Sequence, residues 1–171
     1  GVQTCALPIS SCRQTPHPPF WLACGSRASM GVALDRRYNI VINVGHHGPE
    51  VANQMIQVFE EECAARGIDR GTVRFGLQMH AGLVENDQDR EVALRSAAHL
   101  HRMQVRLRER REKIVGGIVD VSGSEKTEPT FDKWSSGCMV GDQRHLERQM
   151  NRFRSMGVND LFLTYRFGEF T

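Results

Sequence analysis

The chain of 171 residues contains no apolar run approaching the roughly 18 to 20 residues of a membrane-spanning helix, and no charged start leading into an apolar secretory segment. It also lacks a dominant charge: 22 Lys and Arg against 20 Asp and Glu leave +2, too little to point to nucleic acid or an acidic membrane as partner. Cysteine pairs are missing as well. Cys12, Cys24, Cys63 and Cys138 stand singly with no C-x-x-C spacing, a pattern of reduced thiols rather than of a zinc site or disulfide framework. Neither G-x-x-x-x-G-K-[ST] nor G-x-G-x-x-G occurs, so P-loop and dinucleotide fingerprints are excluded. The expectation is a cytoplasmic protein with no metal, no membrane and no nucleic-acid partner.

What is present is ordinary globular material, 40% hydrophobic and 25% charged, of a length suited to one domain or part of one. Residues 1–10, GVQTCALPIS, resemble the in-frame translation of a sequencing adapter. They are set aside as artefactual, which implies that the coding sequence is cut upstream and that residues 11–171 form a partial domain.

Pro16, Pro18 and Pro19 hold the chain extended up to an apolar run at Phe20 to Ala23, a predicted strand. Gly25 and Ser26 open a helix carrying Met30, Ala33 and Leu34, and Ile40 to Val44 is a second strand rich in β-branched residues. Gly48, Pro49 and Glu50 start a helix with Val51, Met55, Val58 and Glu62 or Cys63 on one face, closed by Gly67. Val73 to Val84 is the third strand, with Phe75, Leu77, Met79 and Ala81 alternating against Arg74, Gln78 and His80. A helix striped by Val92, Ser96, Leu100, Met103 and Leu107 follows. Residues 114–134 show no period and exceed ordinary loop length, as functional lids or disordered segments do. Asp142 caps a helix with Leu146, Met150 and Phe153 inward and Gly157 at its end, and Leu161 to Leu163 is a fourth strand. Strict alternation of strand and helix predicts an α/β protein with a parallel sheet, either open or closed as a barrel. Four units make about half of an eight-fold barrel of roughly 250 residues.

Chemistry is concentrated where the first strand turns into its helix. The unpaired amides and positive dipole of a helix start bind phosphate; Gly25 permits close approach, Ser26 and Ser29 offer hydroxyls and Arg27 offers charge. Ser26 can equally be a plain N-cap. His46 and His47 follow the second strand at the end where parallel α/β proteins place their sites; adjacent side chains point oppositely, so only one can face a pocket, and His46 is the candidate. His80 reads as a core or layer residue. The run from Arg102 to Lys113 is interleaved with Glu109 and Glu112 and reads as a solvated helix end.

Residues 14–23, QTPHPPFWLA, followed by Gly25-Ser26-Arg27-Ala28-Ser29 and Ala33, resemble the "Q-x-P-H-P-P-[IY]-W-x-A, S-P-x-S-x-x-x-A" segment of luciferase-like flavin monooxygenases. Phe75 to Asp87 is similar to that family's "V-x-L-R-x-H-x-x-V-A-E-T-D" strand. Trp134, Gly137 and Val140-Gly141-Asp142 resemble its "W-x-x-x-G-x-x-V-G-[DT]-P" element, and Met156 to Leu163 its closing turn and strand. Arg27 and Gln143 stand where the family has Pro, and Tyr165-Arg166-Phe167 matches its "R-M-x-W" ending only loosely.

The resemblance implies the later half of a (β/α)8 TIM-type barrel, with the phosphate of reduced FMN held at Gly25, Ser26 and Ser29, Arg27 adjacent, and a lid near 114–133. It implies a flavin-dependent monooxygenase in which diffusible reduced FMN, supplied by a partner flavin reductase, and O2 oxidise a small organic substrate, in a homo-oligomeric parent. No catalytic residue is named. Two alternatives stay open: a deazaflavin-dependent hydride-transfer oxidoreductase of the same superfamily, and a non-catalytic α/β interaction module.

Overall fold

The computed structural model describes residues 14–44, 47–108, 114–115, 118–121 and 137–165. Residues 1–10, His46 and most of 114–134 therefore lie outside the described residues. The elements run β1 (Trp21–Ala23), α1 (Arg27–Asp35), β2 (Asn39–Asn43), α2 (Gly48–Ala65), β3 (Phe75–Leu83), α3 (Asp87–Arg108), β4 (Ile114–Val115), β5 (Ile118–Val119), β6 (Met139–Gly141), α4 (Gln143–Ser155) and β7 (Asp160–Thr164). Strands β1, β2, β3, β6 and β7 form one sheet of five, every pair of it parallel. This is the predicted α/β alternation, with one short strand, β6, beyond the four expected. Within the aperiodic stretch, β4 and β5 pair antiparallel, Ile114 opposite Val119.

Side-chain alternation gives the sheet two unlike faces. Leu22, Ile40, Ile42, Phe75, Leu77, Met79 and Ala81 join Met30, Leu34, Ile56, Phe59 and Phe153 of the helices in one apolar core. Phe59 and Phe75 meet at 5.1 Å between ring centroids, and the Arg70 guanidinium lies 4.8 Å over Phe59. The other face carries Trp21 and Phe162, whose rings meet edge-on at 4.9 Å above Gly76.

The inward faces of three helices follow their predicted stripes in part. In α2 the deepest apolar residues are Ala52, Ile56, Phe59 and Cys63, with Val51, Met55 and Val58 on the flank. In α3 Ser96 is buried and Leu100 packs inward as predicted, beside Leu94 and Ala97 against Val140 and Cys138, whereas Val92 and Leu107 are exposed. In α4 Phe153 is buried and Leu146 packs against the core as predicted, while Met150 is exposed. A helix only partly covered by its neighbours has more apolar positions than its contact face needs, so packing rather than sequence selects among them.

At the amino ends of the strands, polar groups are bound to one another. The Asn39 Oδ1 accepts from the Arg74 amide at 3.0 Å and the Asn159 Oδ1 from the Phe75 amide at 2.9 Å. Arg74 grips Asp160 through two bonds of 2.7 Å each. This end of the sheet is stitched shut, and the carboxyl ends are left to form a site.

Candidate functional site

A cavity of about 580 Å³ opens at the carboxyl ends of β1, β2 and β3. Ala23, Val41 and Asn43, Gln78 and His80 come from the strand face opposite the core, and Cys24, Gly25, Val44 and His47 from the turns that follow. His101, Gln104 and Leu107 of α3 close one side. The register sets Val41 opposite Gly76 and Asn43 opposite Gln78, so these side chains share one face by strand geometry alone. No carboxylate lines the cavity among the described residues.

The turn into α1 is built on a capping box. The Ser26 Oγ accepts from the Ser29 amide at 3.3 Å, while the Ser29 Oγ accepts from the amides of Gly25 at 3.2 Å and Ser26 at 3.1 Å. The Ser29 hydroxyl donates in turn to the Ser26 carbonyl at 2.8 Å. Gly25, Ser26 and Ser29 are thus brought together, Gly25 lining the cavity, Gly25 and Ser26 exposed and Ser29 half-buried. The box accounts for both serines as helix caps, and it also gathers two hydroxyls and two amides at one helix start. A Cβ added at Gly25 meets nothing within 4 Å among the described residues, and its backbone does not require a glycine.

Arg27 points away from this group. Its guanidinium pairs with Glu61 and, at 2.8 Å, with Glu62, both on α2. His46 lies outside the described residues, and the histidine at the rim is His47. His80 is buried and also faces the cavity, with burial first and then the charge of His101 lowering its pKa, so it is neutral at pH 7. Burial raises the Cys24 thiol against the opposing pull of Ser29, which leaves it a neutral thiol. Asn43, Gln78 and Gln104 were not singled out from the sequence as site residues. For Gln78 the signal was there, in the polar half of the β3 alternation at its carboxyl end; Gln104 sits on a helix whose path over the cavity is a matter of packing. Among the described residues no group of three or more His, Cys, Asp or Glu could hold a metal ion. No helix of the described residues is long and apolar enough to cross a membrane.

The arrangement is one of hydrogen-bonding side-chain amides and imidazoles, His80 neutral among them, beside the start of α1. The luciferase-like monooxygenase family model matches residues 3–160, beginning inside the segment set aside as adapter-like. No curated protein matches the chain. Among solved structures, the monooxygenase RslO1 from Streptomyces bottropensis is 16% identical with a TM-score of 0.67, over 95% of this chain and 45% of its own. An F420-dependent secondary alcohol dehydrogenase in complex with an F420-acetone adduct is 16% identical with a TM-score of 0.59, over 85% and 42%. Apo-MsnO8 is 13% identical with a TM-score of 0.57, over 96% and 50%. At these identities the likeness is one of fold, and this chain spans half or less of each structure's length.

Proposed function

The chain belongs to the luciferase-like monooxygenase family, and from that membership we propose that it is the phosphate-holding part of an oxidoreductase that uses reduced FMN and O2 to oxidise a small organic substrate. The observation that carries the reading is the Gly25-Ser26-Ser29 group at the rim of a cavity free of carboxylates among the described residues. The residues present fit a phosphate: a backbone open to close approach at Gly25, two hydroxyls, and the positive end of α1.

Reduced flavin supplies two electrons when bound, one oxygen atom of O2 entering the substrate and the other leaving as water. This chain's part is to bind and orient. Gly25, Ser26 and Ser29 hold the phosphate at the rim, and Arg27 secures the helix that carries them. Asn43, Gln78 and His80 present neutral hydrogen-bonding groups to whatever occupies the cavity, and His80 does so without charge at pH 7. A flavin reductase would deliver the reduced cofactor, and the parent protein would be a homo-oligomer.

A second reading is favoured by the likeness to the F420-dependent alcohol dehydrogenase. The same phosphate group would then hold a deazaflavin, and the reaction would be hydride transfer without O2. Anaerobic calorimetric titration of the intact protein with reduced FMN, and separately with reduced F420, decides between them. One cofactor should bind saturably, compete with inorganic phosphate, and lose at least about ten-fold in affinity in Ser26→Asp through charge repulsion. Binding of neither cofactor, or equal affinity in the variant, would overturn the assignment.

A further inference from the structure

Arg27 occupies the first position of α1, directly after the Ser26 cap. Proline at that position is held by its own ring; arginine is not, and besides the capping box of Ser26 and Ser29 this turn has a second tie from outside the helix. The structure supplies an ionic clamp from α2. The Glu62 Oε1 accepts from Arg27 at 2.8 Å, and the Glu62 Oε2 accepts from Arg66 at 2.5 Å. Arg66 reaches on to Asp35, the last residue of α1, at 2.8 Å, and Glu61 takes the second nitrogen of Arg27. Both ends of α1 are thus tied to α2 through one carboxylate. Glu62 is 9% exposed, by far the most enclosed member, while Arg27, Glu61 and Asp35 have more than half of their side-chain surface in solvent.

The clamp has a seat made for it. A Cβ added at Gly31 would lie 2.4 Å from Arg66 Nη2 and 3.4 Å from Glu62 Oε2, so the glycine leaves room for the Arg66 guanidinium, whose flexible end would have to shift for a larger residue. The Arg27 hydrogen bond first, and that of Arg66 beside it, hold the Glu62 carboxyl below the usual carboxylate range, so the clamp is charged throughout the neutral range.

We propose that Glu62 is a positioning residue for the cofactor turn: clamped between Arg27 and Arg66, it fixes the first turn of α1 where Gly25, Ser26 and Ser29 can meet a phosphate. The proposal rests on the phosphate reading above and assigns Arg27 a different part from a direct ligand. With Glu61 and Glu62 on its guanidinium, Arg27 acts by holding the helix start and not by lending its charge.

The two roles predict opposite signs. If Arg27 were a phosphate ligand restrained by its carboxylates, Glu62→Gln would free it, remove a negative charge near the site and tighten FMN binding. If Glu62 positions the turn, the same variant weakens FMN binding. Riboflavin, which has the ring but no phosphate, separates this from a general loss of structure. The experiment measures reduced FMN and reduced riboflavin, and F420 with its dephosphorylated chromophore, against the intact protein, Glu62→Gln and Gly31→Ala. Gly31→Ala displaces Arg66 without changing any charge, and it serves also if Glu62→Gln fails to fold.

The expected result is a loss of about five-fold or more for the phosphorylated cofactor in both variants, with affinity for the dephosphorylated form held within about two-fold. Unchanged or tighter FMN binding in Glu62→Gln overturns the proposal, as does an equal loss for both forms. A wild-type protein that does not prefer the phosphorylated cofactor sinks instead the phosphate reading on which it rests.

Discussion

His80 shows how one residue can be read two ways until its surroundings are known. In the sequence it is a polar residue in an apolar strand, and a core position is the natural expectation. The structure buries it and also turns it to the cavity, so it is enclosed and still able to meet a ligand. Its lowered pKa carries a sign for stability. The folded chain binds the proton less readily than the unfolded chain, whose histidine titrates near pH 6.5, so the stabilisation is full above about pH 6.5 and is lost as pH falls through the lowered value. His145 on α4 has the same sign, from burial first and then from Arg148 and Arg90 against the opposing Asp142. The melting temperature of the intact protein should therefore fall between about pH 7.5 and about pH 5.5, and His80→Gln should fall less. An identical fall in wild type and variant would assign the acid sensitivity to other groups. Cys138 was legible as an isolated thiol, but its burial was not; with its pKa pushed up to about 12 it stays protonated and inert at neutral pH.

Among the elements, the strands were the most legible and the helix faces the least. Alternation along β3 separates the core residues Phe75, Leu77 and Met79 from Gly76, Gln78 and His80, because period two admits only two faces. Glycine at 76 acquires its reason only when β1 and β7 are placed. An added Cβ there would lie 2.7 Å from the Phe162 ring on β7, which pairs with β3, and 3.0 Å from Trp21 on β1, which lies beyond β2. Gly76→Ala should cost about 1 to 3 kcal/mol of unfolding free energy, as overpacked sites do. Urea denaturation measures it; a variant as stable as wild type would show that the ring pair yields without cost. The predicted faces of α2, α3 and α4 hold at Cys63, Ser96, Leu146 and Phe153 and fail at Val92, Leu107 and Met150, for the opposite reason. A helix offers a continuous range of faces, and the neighbour decides which is covered.

For the whole molecule the open question is what covers the second face of the sheet. β1 and β7 are each bonded to a single neighbouring strand among the described residues. Phe162 is 39% exposed and Tyr165 76%. The chain spans 42 to 50% of the solved structures it resembles. Unpaired strand edges beside exposed aromatic surface promote association. The 171-residue chain produced by itself should elute from gel filtration as assemblies and bind a hydrophobic dye. A monomer with a cooperative melt would show that this sheet tolerates its edges.

The alternation of elements, the parallel sheet and the capped turn at Ser26 follow from the sequence by itself, because each depends on residues within a few positions of one another: period two against period three to four, a cap before a helix, a glycine after one. The family resemblance likewise rests on ordered local motifs. The tertiary structure alone decided that Arg27 turns to Glu61 and Glu62 on α2, that Gly31 makes room for Arg66, and that Asn43, Gln78 and Gln104 share one cavity. These are meetings of groups 30 or more positions apart or on different elements. No local pattern encodes them, since the chain path that brings them together is set by burial of the common core.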